Sequence, residues 1–273
     1  MLDGNLRDQL KLLVDISRRA GGAILDWYNG DMGDDMGVTQ KADDSPLTMA
    51  DLASHELITA ELAQHWPEIP VLSEESADIP WQTRKNWQKY WLVDPLDGTK
   101  EFINRNGEFT VNIALIDEHQ SVLGIVYVPV TGVCYFGARG FGAWRQNNGG
   151  EATRIEVRRP PADPAIIVGS RSHANPELVE QLGHLGPHEL TSMGSSLKFC
   201  RLAEGLADFY PRLGPTCEWD TAAAQAVVES AGGQVVTIDG TPLLYNTKDK
   251  YLNPNFFVFG DPSKNWLAPF GSA

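Results

Sequence analysis

The 273-residue sequence is poor in cysteine, in positive charge and in long apolar runs. Its three cysteines, Cys134, Cys200 and Cys217, are odd in number and widely spaced, and no C-x-x-C pair occurs. This argues against a disulfide framework or a zinc knuckle and leaves buried thiols in a reducing compartment. Lys and Arg total 22 against 36 Asp and Glu, a formal net charge of −14. A chain this acidic has no overall attraction for DNA, RNA or anionic lipid. An anionic ligand must be held by metal ions or by a few placed Lys and Arg. No apolar run approaches the ~20 residues of a membrane span. Met1-Leu2-Asp3-Gly4-Asn5 has neither the basic nor the apolar region of a signal peptide. The expected location is the cytoplasm, with peripheral contact at the cytoplasmic face of the inner membrane left open. Internal repeats and low-complexity tracts are also lacking.

What remains is the composition of a globular chain, 42% hydrophobic and 21% charged, long enough for one large domain or two halves sharing a core. Leu6, Leu10, Leu13, Ser17, Ala20, Ile24 and Trp27 mark one face of a helix that ends before Gly30. Residues 30–45 read as a loop. A second helix is expected from Ala50 to His65, with Thr48 and Asp51 spaced as a capping box. Val71-Leu72-Ser73 is a short strand, and Tyr90 to Val93 a buried one that stops at Asp94-Pro95. Phe109–Ile116, Val122–Val130 and Val133–Phe136 form an antiparallel meander. Pro160-Pro161-Ala162-Asp163-Pro164 marks a boundary between an α+β half, 1–160, and an α/β half, 161–273. After it, strands at Ile166–Val168, Glu189–Ser192 and Ala207–Tyr210 alternate with helices from Pro176, from Ser196 to Glu204 and from Thr221 to Ala231. Strands at Val235-Val236 and Phe256–Phe259 follow.

Three acidic segments carry the chemistry. In Asp94-Pro95-Leu96-Asp97-Gly98-Thr99, two acids follow a buried strand, Pro95 fixes one backbone angle and Gly98 permits a tight turn. Such a turn can aim both carboxylates and the Leu96 carbonyl at one hard cation such as Mg²⁺. A plain polar turn has the same composition, so these six residues do not decide. Glu74-Glu75 follows another short strand, and Glu218-Trp219-Asp220-Thr221 opens an Ala-rich helix. Taken singly, Glu74 reads equally as a solvated acid and Asp220 as an N-cap.

In this order, Glu74, then Asp94 to Thr99, then the distant Trp219-Asp220, the chain resembles the inositol monophosphatase superfamily over most of its length. Pro46-Leu47-Thr48-Met49-Ala50-Asp51, Lys100-Glu101-Phe102 and Ser195-Ser196-Leu197-Lys198 resemble its bacterial bisphosphate-nucleotidase branch. One departure is Ala224, where W-D-x-A-A-G would place Gly. The resemblance implies a layered αβαβα sandwich. It implies Mg²⁺ ions, two or three in number, held by Glu74, Asp94, the Leu96 carbonyl, Asp97 and Asp220, with Li⁺ inhibitory. It implies that Asp51 and Thr99 orient and deprotonate the attacking water, although Asp51 as a capping acid alone is the plainer reading of that residue.

The substrate would meet Glu74, Leu96, Asp97, Gly98, Thr99 and Asp220, and also a second group. The helix start at Ser195-Ser196 with Lys198 can take a phosphate, His173 follows a strand in Ser170-Arg171-Ser172-His173, and Arg212 follows another. His173 is not expected on the metal, because the other ligands are oxygens. The leading expectation is a Mg²⁺-dependent phosphomonoesterase acting on adenosine 3′,5′-bisphosphate. The runner-up is an inositol or sugar phosphatase with the same metal site. A metal- and phosphate-binding sensor is the non-enzyme alternative. The expected partner is a small anionic nucleotide, without nucleic-acid polymer or transmembrane segment, and with a homodimer left open.

Overall fold

The computed structural model describes residues 5–30, 39–40, 46–170 and 176–270. The expected 30–45 loop therefore lies largely outside the described residues. Helix α1 (Leu6–Asn29) is capped by the Asn5 side chain, and α2 (Met49–His65) by the Thr48–Asp51 capping box read from the sequence. Between them, β1 (Thr39–Gln40) pairs antiparallel with β2 (Pro46–Leu47).

A seven-stranded sheet follows in strict chain order: β3 (Val71–Ser73), β4 (Lys89–Asp97), β5 (Thr110–Asp117), β6 (Gln120–Val128), β7 (Val133–Ala138), β8 (Gly142–Asn147) and β9 (Ala152–Ile155). β3 runs parallel to β4, and every other pair is antiparallel. Short helices α3 (Trp81–Arg84) and α4 (Thr99–Ile103) flank β4. The second sheet has the order β11-β10-β12-β14-β13. Its strands are β10 (Ala165–Ser170), β11 (His188–Met193), β12 (Phe209–Arg212), β13 (Gln234–Thr237) and β14 (Phe256–Phe259), interleaved with α5 (Pro176–Gly183), α6 (Leu197–Ala203) and α7 (Glu218–Ser230).

Side-chain alternation along the strands builds the layers. On β5, Val111, Ile113 and Leu115 face the α1–α2 pair, while Ala114 and Ile116 face α6 and α7. On β14, Phe256 and Val258 join that same middle core, and Phe257 and Phe259 pack on Leu182 and Trp266 beyond the second sheet. The result is the expected αβαβα sandwich. Its first sheet is drawn from residues 71–155 and its second from 165–259.

Two expectations need correction, and two strands are additional. β4 does not stop at Asp94-Pro95; it continues to Asp97 through a register shift. β8 and β9 were not legible, because Gly142–Asn147 and Ala152–Ile155 are too polar to read as strands. α7 opens at Glu218, so Asp220 sits inside its first turn and the N-cap is Cys217.

α7 lies directly on the first sheet at a glycine. A β-carbon at Gly124 of β6 would overlap the Ala223 carbonyl oxygen and stand 2.7 Å from its carbonyl carbon. The Ala224 methyl, by contrast, fits in the core, fully buried. Gly124→Ala is therefore expected to cost stability at or above the top of the ~1–3 kcal/mol typical of overpacking. A denaturant midpoint equal to wild type would show that α7 can shift away freely.

Candidate active site

Parallel pairing brings the first acids together. Ser73 is in register with Val93, so Glu74 and Asp94 both stand just past the same level of β3 and β4. α2 is pinned across these strand ends. Ser54 Oγ donates to the Pro95 carbonyl at 2.8 Å, and His55 Nδ1 lies 2.9 Å from Ser73 Oγ. One turn earlier on α2, this pinning places Asp51 beside Thr99.

Asp51 serves two neighbours with separate oxygens. Its Oδ2 accepts the Thr48 N–H at 2.8 Å and the Thr48 hydroxyl at 2.5 Å. Its Oδ1 accepts the Thr99 hydroxyl at 3.2 Å. The capping reading and the Thr99 contact therefore coexist, although Asp51 is 1% exposed. The turn between them needs Gly98, whose φ of 97° lies in the left-handed region. Asp94 Oδ1 accepts the Leu96 N–H at 3.1 Å, which braces the same turn.

Asp97 and Asp220 are held alike. Asp97 Oδ2 accepts the Ser196 N–H at 2.6 Å and the Asn112 side-chain amide at 3.2 Å. Asp220 Oδ2 accepts the Cys217 N–H at 2.8 Å. Burial raises both carboxyls above their ordinary values, and the charges of Asp97 and Glu74 push Asp220 up further. Asp97 and Glu74 thus both repel Asp220 around one cleft of ≈ 270 Å³. Glu74, Asp97 and Asp220 line it, together with Gly98, Thr99, Lys100, Glu101 and Thr221. Among the described residues, no three His, Cys, Asp or Glu side chains lie close enough to hold a metal ion as they stand.

The opposite wall holds Ser195, Lys198, Tyr210 and Arg212. One sequence expectation changes here. The start of α6 is not an open anion site, because Asp97 takes the Ser196 N–H and Ser196 Oγ donates to the Asp220 carbonyl at 2.7 Å. Lys198 itself is buried. It is 6% exposed and donates to the Ser195 and Met193 carbonyls at 2.6 and 3.3 Å. Burial lowers its amine to about 8, against the opposing pull of Asp97. Ser195, with φ 44°, has a buried hydroxyl, and neither it nor the buried Arg212 Nε has a hydrogen-bond partner among the described residues. Arg212 Nη2 donates to the Pro215 carbonyl. His173 lies outside the described residues. Sequence reasoning missed Asn112, whose signal was a lone polar residue in an apolar strand, and Tyr210 and Phe199, which read only as core.

The model of the inositol monophosphatase family matches residues 5–263. The chain belongs to the inositol monophosphatase family. The 3′(2′),5′-bisphosphate nucleotidase CysQ of Escherichia coli K12 is 52% identical over 250 residues, covering 91% of this chain and 98% of that protein. The CysQ structure from Bacteroides thetaiotaomicron superposes with a TM-score of 0.81 at 41% identity, covering 93% of this chain and 98% of that one. An inositol monophosphatase from Anabaena shares the fold at a TM-score of 0.71 and 23% identity, covering 94% and 91%. Within the family's sandwich, the acid-lined cleft sits where the C-terminal ends of β3 and β4 meet the first turns of α2 and α7. No helix among the described residues is long and apolar enough to cross a membrane.

Proposed function

We propose that the chain is a Mg²⁺-dependent 3′(2′),5′-bisphosphate nucleotidase that converts adenosine 3′,5′-bisphosphate to AMP and phosphate. The observation that carries the reading is the Thr99 Oγ1 to Asp51 Oδ1 hydrogen bond on an acid-lined cleft. The names of the CysQ relatives support the substrate class.

The donor set fits a hard cation. Glu74, Asp94, the Leu96 carbonyl, Asp97 and Asp220 offer oxygen only. The repulsion that raises Asp220 is what a cation would relieve. When bound, Mg²⁺ would neutralise phosphate charge and lower the pKa of a coordinated water. Li⁺, a small hard ion of single charge, is expected to displace it. Thr99 accepts a hydrogen bond from the attacking water and passes its own proton toward Asp51. Lys198 has three N–H donors and, among the described residues, gives two to backbone carbonyls; in this reading the third meets a phosphate oxygen. The Ser195 hydroxyl and the Arg212 Nε, unpaired among the described residues, offer further donors on the same wall. Three free thiols suit a reducing cytoplasm.

The test compares phosphate release from adenosine 3′,5′-bisphosphate, inositol 1-phosphate and a minimal phosphomonoester, with and without Mg²⁺. Wild type should prefer the bisphosphate. Lys198→Ala should lower kcat/KM for it by about 10- to 150-fold, from roughly 1.5–3 kcal/mol for one charge-assisted hydrogen bond. A smaller loss is expected for the minimal ester, because Lys198 also faces Asp97. Preference for inositol 1-phosphate, or equal losses on all substrates, would overturn the nucleotidase reading.

A further inference from the structure

Asn112 is out of place on its strand. The inner face of β5 runs Thr110, Asn112, Ala114, Ile116, and the last two lie in the apolar middle core. Asn112 is 1% exposed, and its buried Oδ1 has no hydrogen-bond partner among the described residues. A buried, half-satisfied amide is costly, and an apolar side chain of similar size would serve packing better. Stability does not explain the residue, so what its nitrogen does should.

Asn112 Nδ2 donates to Asp97 Oδ2 at 3.2 Å and to Ser196 Oγ at 3.0 Å. Ser196 closes the connection, giving its N–H to Asp97 and its hydroxyl to the Asp220 carbonyl. The link thus joins β4 and β5 of the first sheet to the starts of α6 and α7. Thr110 Oγ1, Asn112 Nδ2 and the Ser196 N–H all donate to Asp97 Oδ2, so its Oδ1 takes no hydrogen bond among the described residues. Among the described residues Asp220 likewise accepts on Oδ2, from the Cys217 N–H.

We infer that Asn112 is a positioning residue, which together with Ser196 fixes the relative placement of Asp97 and Asp220 and keeps one oxygen of each available to the cleft. This rests on the metal-dependent reading above. Partners behind metal ligands commonly govern affinity by ~10- to 100-fold. Asn112→Ala should weaken Mg²⁺ binding by that factor in a calorimetric titration without substrate. The Mg²⁺ concentration for half-maximal turnover should rise by the same factor. Ser196→Ala keeps the N–H bond to Asp97 and deletes the bond to the Asp220 carbonyl, so it should act in the same direction. The double variant should lose less than the product of the two single losses, since the residues form one link. Should Asn112→Ala fail to fold, Asn112→Ser keeps one hydroxyl donor, unable to serve both acceptors, and takes its place. Unchanged Mg²⁺ affinity in the variants, with only a lower Tm in EDTA, would overturn the inference and leave the function reading intact. Wild type that binds no Mg²⁺ would overturn both.

Discussion

Asp220→Asn is expected to abolish Mg²⁺-dependent phosphate release while leaving the metal-free protein at least as stable as wild type. The two halves of that expectation have one origin. Asp220 lies in the first turn of α7, where burial and the charges of Asp97 and Glu74 hold its carboxyl well above the ordinary range. Asparagine reproduces the neutral form, and its carbonyl oxygen can still accept the Cys217 N–H. A raised carboxyl means that the folded chain binds the proton more tightly than the unfolded chain. Its folding penalty is therefore absent at low pH and grows as pH rises from the ordinary carboxylate range toward the raised value. In EDTA, the Tm gain of the variant over wild type should widen as pH rises above the ordinary carboxylate range. With Mg²⁺ the order reverses, because wild type gains a ligand-linked increment that the variant lacks. If the metal supplies several kcal/mol of transition-state stabilisation, its loss is roughly 10³-fold or more in rate at ~1.4 kcal/mol per decade. Near-normal turnover would remove Asp220 from the metal set.

The same substitution at Asp97 should behave differently. Asp97 faces buried Lys198, whose amine it helps to keep charged. Asp97→Asn leaves that cation without its main counter-charge and weakens the bond from the Ser196 N–H. Activity is lost in both variants, but only Asp220→Asn should be free of a stability cost. Acid spacing in the chain could not foretell this difference, because it depends on a lysine about a hundred residues away.

The parts that were legible share one cause. β3 to β7, β10, β12 and β14 bury apolar side chains on one or both faces, so runs such as Trp91-Leu92-Val93 and Phe256-Phe257-Val258 stand out against Gly- and Asp-marked turns. β8 and β9 lie at the edge of the sheet, where Arg145, Gln146, Thr153 and Arg154 are partly or fully exposed and erase the signal. The Asp94–Thr99 turn was legible because its backbone needs Pro and Gly at fixed places. The opposite wall was not. The sequence offers Lys198 as a phosphate ligand, but only the fold shows its amine buried and turned back onto the carbonyls of Met193 and Ser195. Long-range partners such as Asn112 and Ser196, 84 residues apart, leave no local pattern.

The Thr99–Asp51 pair sets the other large expectation. Thr99→Val keeps the shape of the turn and deletes the hydroxyl, so water loses its proton route to Asp51 Oδ1. Asp51→Asn is the sharper variant. Its amide can keep the carbonyl oxygen on the Thr48 N–H and turn the NH₂ group toward Thr99, which reverses the Thr99 hydrogen bond without removing a contact. The Leu96 carbonyl, 3.4 Å from Thr99 Oγ1, is then the remaining acceptor for the hydroxyl proton. Each change should lower kcat by about 10²- to 10⁴-fold, the usual scale of a positioned general base, with KM little altered. Together they should cost scarcely more than either alone, because the two residues act as one unit. The capping role makes a separate forecast. Loss of a cap costs about 1 kcal/mol, which Asp51→Ala should show as a lower Tm and Asp51→Asn should largely avoid. Single-turnover rates and melting curves for the four variants separate the two roles. Fully additive rate losses, or a rate loss in Asp51→Ala that its lower Tm accounts for, would reduce Asp51 to a helix cap and leave Thr99 without its proton acceptor.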